Sequence, residues 1–128
     1  MVEQERARIL VVDDEETIRF SLEVLLQRRG YAVTAAASGG QALACFAQHT
    51  FDAALLDLHL PDMNGLELAG AIARQYPSVA IIILTGSSYF QGHPIEQQIG
   101  GFGYLLKTTR PAAVLEYIAG TLARQQAE

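Results

Sequence analysis

Continuous aliphatic runs recur along the chain: Ile9-Leu-Val-Val12, Ala53-Ala-Leu-Leu56, Val79-Ala-Ile-Ile-Ile-Leu84 and Tyr104-Leu-Leu106. They do not alternate with polar residues. Such runs mark strands covered on both faces, as in a parallel sheet lying between two helical layers. Tyr31 to Ala37, bounded by Gly30 and Gly39, reads as a fifth strand, weakened by its alanines.

Between the runs the apolar period changes to that of a helix. Ile18, Leu22, Leu25 and Leu26 form one stripe that Gly30 closes as a helix stop. Ala42, Leu43, Phe46 and Ala47 form the second, and Leu66, Ala69, Ile72, Ala73 and Tyr76 the third, ended by Pro77. In the last, Val114, Leu115, Ile118 and Leu122 make the stripe, and Pro111 suits a first helical position. A further helix is expected between Ser87 and Gly101. Gly92, Pro94, Gly100 and Gly101 make it short, weak and the most mobile ordered part of the chain. The strand-helix unit thus repeats five times. Right-handed crossovers turn that order into an α/β fold, a doubly wound five-stranded parallel sheet of order 2-1-3-4-5, which is the flavodoxin-like arrangement.

At 128 residues, half of them hydrophobic, the chain encloses one core, expected over about residues 7 to 124 of a single domain 1–128 with fraying polar ends. Charged residues are 18 % and Gly plus Pro 15 of 128, well below the balance that keeps a chain disordered or of low complexity. The longest aliphatic run, Val79 to Leu84, is far short of the about 20 residues of a membrane span. No charged stretch followed by an apolar core opens the chain, so a cytoplasmic location is expected. The lone cysteine, Cys45, fits a reducing compartment. A net charge of −5 without a basic stripe argues against direct nucleic-acid binding. Of nine basic residues eight are Arg, which leaves Lys107 as the single compact ammonium.

Open α/β sheets bind ligands outside the carboxyl ends of their strands. There the runs end in Asp13-Asp14, Asp57, Thr85 and Lys107. Each has an ordinary reading taken alone: acidic residues at a helix start, a turn aspartate, a helix cap, a surface charge. Those readings do not explain why all of them end buried strands on one edge. Two carboxylates 4 Å apart repel by roughly 4 kcal/mol at an effective dielectric of about 20, so three need positive charge among them. Oxygen donors without a His or Cys pair select a hard ion, and magnesium suits them. Such a site serves phosphate chemistry, in which a carboxylate can itself be the nucleophile.

The segments Ile-Leu-Val-Val-Asp13-Asp14-Glu, Leu-Leu-Asp57-Leu-His-Leu-Pro61-Asp-Met-Asn-Gly65, Ile-Leu-Thr85-Gly and Tyr104-Leu-Leu-Lys107 closely resemble the receiver domain of two-component response regulators. The resemblance implies that Asp57 is the phosphoacceptor and that Asp13, Asp14, Asp57 and the backbone carbonyl of His59 hold Mg2+. It further implies that Thr85 and Lys107 contact the phosphoryl group, and that Tyr104 follows Thr85 in a conformational switch. The implied partners are a histidine kinase or phosphotransfer protein. A homodimer or effector would bind through the helix expected in 87–101, the fifth strand and the last helix. No membrane or nucleic-acid partner is implied.

Two positions depart from the family pattern. Thr108 follows Lys107 where the family has a cis proline, so a trans bond is expected, with Thr108 to Arg110 re-routed and Lys107 still aimed at Asp57. Gly92 and Pro94 fall where the family has charged helix formers. Two other functions compete with a signalling receiver. A magnesium-dependent phosphatase of the haloacid dehalogenase type would carry D-x-D after its first strand, whereas Asp13 and Asp14 are adjacent. A receiver-like docking module not regulated by phosphorylation would have lost an acidic residue or the lysine, and this chain keeps all of them.

Overall fold

The computed structural model describes residues 6–86 and 102–127. Strand and helix alternate through β1 (Arg8–Val12), α1 (Glu16–Arg28), β2 (Ala32–Ala36), α2 (Gly39–Gln48), β3 (Ala53–Asp57), α3 (Gly65–Gln75), β4 (Ala80–Thr85), β5 (Gly103–Leu106) and α4 (Pro111–Ala127). The five strands are parallel in the order β2-β1-β3-β4-β5, as the aliphatic runs predict. The helix expected between Ser87 and Gly101, and its mobility, lie outside the described residues.

The apolar runs are continuous because successive side chains enter different cores. Leu10, Val12, Ala54, Leu56 and Ile83 join Phe46, Leu68 and Ile72 beneath α2 and α3. Ile9, Val11, Leu55, Ile82, Leu84 and Leu105 meet Leu26, Val114, Ile118 and Leu122 beneath α1 and α4. Phe46 stacks on Tyr76 and meets Phe51 edge-on, with centroids 4.6 and 5.0 Å away.

Local chemistry sets the helix ends. Ser38 caps α2, its Oγ accepting the Gln41 N–H at 3.1 Å, and Asn64 caps α3 through the Leu66 N–H at 2.7 Å. Gly30 has φ +98°, and around it the Tyr31 N–H donates to the Leu26 carbonyl and the Gly30 N–H to that of Gln27. That is a Schellman stop requiring a residue tolerant of the left-handed region. Pro111 opens α4 as expected. No described peptide bond is cis, the Lys107–Thr108 bond included. The chain turns there by a bond from the Thr109 N–H to the Leu106 carbonyl at 2.9 Å.

Strand register positions the site. Val12 pairs with Leu56, so Asp13 and Asp57, one residue further on each strand, emerge level with each other. Asp57 pairs with Leu84 and Thr85 with Leu106, which brings Thr85 and Lys107 to the same edge.

Candidate functional site

Asp13, Asp14 and Asp57 present carboxylate oxygens that all lie within 4.8 Å of one another. Asp13 is 0 % exposed and Asp57 3 %, because each ends a strand covered by helices on both faces, whereas Asp14 opens to solvent. Lys107 Nζ reaches into the group, 3.2 Å from Asp13 Oδ2 and 3.2 Å from Asp57 Oδ1. Thr85, 2 % exposed, lines the same cleft of about 440 Å3 with Asp14, Glu15, Asp57, His59 and Lys107. Its hydroxyl donates to the Gly86 carbonyl at 3.2 Å. Tyr104 pairs in register with Ile83 and packs against the core under α2 and α3, the face onto which alternation also turns Thr85. The structure thus brings Asp13, Asp14, Asp57, His59, Thr85 and Lys107 together, while Tyr104 is placed only on the sheet face that Thr85 shares.

Backbone groups orient the acids. The Glu15 N–H donates to Asp13 Oδ1 at 2.9 Å, and the His59 N–H to Asp57 Oδ1 at 3.2 Å. Burial raises the pKa of Asp57, the charge of Asp13 adds to the rise, and the His59 N–H and Lys107 oppose it. Burial alone would push the Lys107 ammonium down, but the charges of Asp13 and Asp57 outweigh it and its pKa is raised. The amine therefore stays charged, yet its charge does not cancel the rise at Asp57.

Asp13 Oδ2 is buried, receives no well-directed hydrogen bond, and has Lys107 Nζ beside it. A buried carboxylate oxygen with one ammonium beside it and two more carboxylates close by, with no His or Cys among the donors, fits a hard divalent cation. His59 lines the same cleft.

Two contributors are not legible as site residues in the sequence. Glu15, which reads there only as an acid at a helix start, places Oε1 3.2 Å from Lys107 Nζ and gives the amine a third carboxylate. Arg19 donates from Nη1 to the Asp13 carbonyl at 2.8 Å and so fixes the turn carrying the acid pair. Neither has a signal in spacing alone, since both depend on how α1 leaves β1.

A family model for the response regulator receiver domain matches residues 9–119. The chain is 34 % identical over 108 residues to the alginate biosynthesis transcriptional regulatory protein AlgB of Pseudomonas aeruginosa, covering 84 % of this chain and 24 % of that protein. It therefore spans about a quarter of the length of that curated relative. The crystal structure of a CheY-like receiver domain protein from Methanospirillum hungatei superposes with a TM-score of 0.83 at 32 % identity, covering 96 % of this chain and 98 % of that one. The response regulator TrrA of Thermotoga maritima, solved in complex with Mg(2+)-BeF, superposes with a TM-score of 0.77 at 33 % identity, covering 90 % and 98 %.

Proposed function

Because the chain belongs to the response regulator receiver family of two-component signalling, we propose that Asp57 is its phosphoacceptor, with Lys107, Thr85, Asp13, Asp14 and His59 serving the transfer. The carrying observation is one ammonium, Lys107 Nζ, held 3.2 Å from Asp57 Oδ1 at the mouth of a three-carboxylate cleft. An Asp57 oxygen attacks the phosphorus of a phosphohistidine on a histidine kinase or phosphotransfer protein. The P–O bond forms as the P–N bond breaks, and the imidazole leaves with the electron pair and takes a proton. The chemistry is done on the chain itself, without turnover of a substrate.

Asp13, Asp14, Asp57 and the His59 carbonyl would hold Mg2+, which when bound supplies positive charge to the phosphoryl oxygens. The chain's own groups do the rest. The His59 N–H orients the attacking carboxylate, and Lys107 pairs with the phosphoryl group as its charge develops. Thr85 exchanges its bond to the Gly86 carbonyl for a phosphoryl oxygen. Tyr104 turns with it, which carries the change to the surface of β5 and α4, where a homodimer or effector docks. Operation is in the cytoplasm; among the described residues no helix is long and apolar enough to cross a membrane.

Incubation with acetyl phosphate and magnesium, read by intact mass, tests this reading. One added phosphoryl group that is absent in Asp57→Asn is the expected result. No gain with either acetyl phosphate or a cognate kinase would overturn it.

A further inference from the structure

The segment after Asp57 is a miniature hairpin. His59 bridges Asn64 in antiparallel fashion, the Leu60 N–H donates to the Met63 carbonyl at 3.3 Å, and the Gly65 N–H donates to the Leu58 carbonyl at 2.8 Å. Pro61 and Asp62 form its tip. At its base Gly65 lies so close to the Asp57 carbonyl that a Cβ there would overlap it, so the hairpin and the reactive strand end are packed as one piece.

The tip is tethered to a different element. Asp62 Oδ1 accepts the Gly39 N–H and Oδ2 the Gly40 N–H, each at 2.9 Å. These are the first two residues of α2, whose amides have no partner within the helix and whose dipole favours a carboxylate. The two N–H groups lower the pKa of Asp62 and keep it ionised. Met63 fills the space over Gly39, where a Cβ would overlap its side chain. The far end of this anchor is firm, since Ala42 and Phe46 root α2 in the core.

We propose that Asp62 is a positioning residue for the phosphoryl-accepting site: by pinning the hairpin tip to the start of α2, its carboxylate sets where the hairpin base holds the His59 backbone beside Asp57. The proposal rests on the roles assigned above to Asp57 and His59. The hairpin's internal bonds determine its shape but not its tilt over the cleft. Two charge-assisted bonds to consecutive amides fix two atoms of one planar group, and with them the tilt. The bonds of Asp62 go to α2 rather than to Asp57, so its influence passes through the His59 N–H, which donates to Asp57 Oδ1, and through the adjoining carbonyl.

The test is calorimetric titration of the full chain with magnesium chloride, comparing wild type with Asp62→Asn at about 0.1 M and about 0.5 M salt, where the Debye lengths are about 10 and about 4 Å. Hydrogen exchange of the Gly39, Gly40 and His59 amides is followed in parallel. Asp62→Asn keeps the side-chain size but opposes one N–H with an amide donor. It should bind magnesium at least about threefold more weakly, short of the roughly 10–100-fold seen when a partner touches a ligand directly. The loss should persist at the higher salt, with faster exchange at all three amides. Asp52→Asn, which weakens an exposed carboxylate bond to the Arg8 N–H at the opposite edge of the sheet, should bind magnesium as wild type does. Equal affinity in Asp62→Asn, a deficit that vanishes at the higher salt, or an equal deficit in Asp52→Asn would each overturn the positioning role. A wild-type chain that binds no magnesium would overturn the site assignment itself, which keeps the two failures distinct.

Discussion

The ammonium of Lys107 lies 3.2 Å from Oδ1 of Asp57 although a trans bond follows it in place of the family's cis proline. The backbone explains how: the Lys107 N–H donates to the Thr85 carbonyl at 2.8 Å, which prolongs the β4–β5 ladder by one residue and aims the side chain before the turn begins. The same amine contacts Asp13 and Glu15, so it holds three carboxylates together.

Lys107→Ala should therefore destabilise the metal-free protein by about 3 kcal/mol at neutral pH, because it strands Asp13 and Asp57 as buried like charges. Urea denaturation in a chelator measures this, and added magnesium should recover part of it. Lys107→Arg should fold normally yet impair the phosphorylated state, since a planar fork does not replace a compact ammonium in a tight cleft.

Chelation should abolish phosphorylation by acetyl phosphate without unfolding the chain. The cluster of Asp13, Asp14 and Asp57 needs a divalent cation for chemistry, but the cores on either side of the sheet do not. Far-UV circular dichroism that stays constant while the phosphorylated mass disappears is the expected pair of readings. An unchanged phosphorylation rate would remove the metal from the site.

The raised pKa of Asp57 has a definite sign in stability. Above the ordinary carboxylate value of 3.8 the unfolded chain loses this proton before the folded one does, so the group's contribution falls as pH rises through the window up to its folded pKa. Asp57→Asn removes the group. In chelator it should be more stable than wild type at neutral pH by on the order of 1 kcal/mol, the scale of single substitutions. The advantage should shrink towards pH 4. Denaturation midpoints across that range check it.

Gly65 and Gly70 both belong to α3 but should respond oppositely to alanine. At Gly65 a Cβ would overlap the Asp57 carbonyl, and backbone cannot give way as a side chain can. Gly65→Ala should cost about 2 kcal/mol or more and disturb the phosphorylation site with it. At Gly70 the nearest group is the flexible end of Arg74 at 3.5 Å, so Gly70→Ala should be neutral or stabilise by up to about 1 kcal/mol through helix propensity. Thermal melts of the two variants decide it.

The sheet, its strand order and the edge carrying the chemistry were readable from the chain because they rest on repetition. Aliphatic runs long enough to be buried on both faces call for helices on both sides, and crossover handedness leaves few orders for five such units. Once that order is set, Asp13, Asp57, Thr85 and Lys107 must meet, since each is the residue on which a run ends. What only the tertiary structure decided is how these groups are shared and held. Glu15 joins Lys107, Arg19 braces the Asp13 carbonyl, and Asp62 ties the turn after β3 to α2. Those bonds join segments whose separation in sequence carries no periodic signal. They depend on side-chain reach and on the exit angle of a single turn, which hydrophobic patterning leaves undetermined because it specifies which face is buried and not where a polar arm ends.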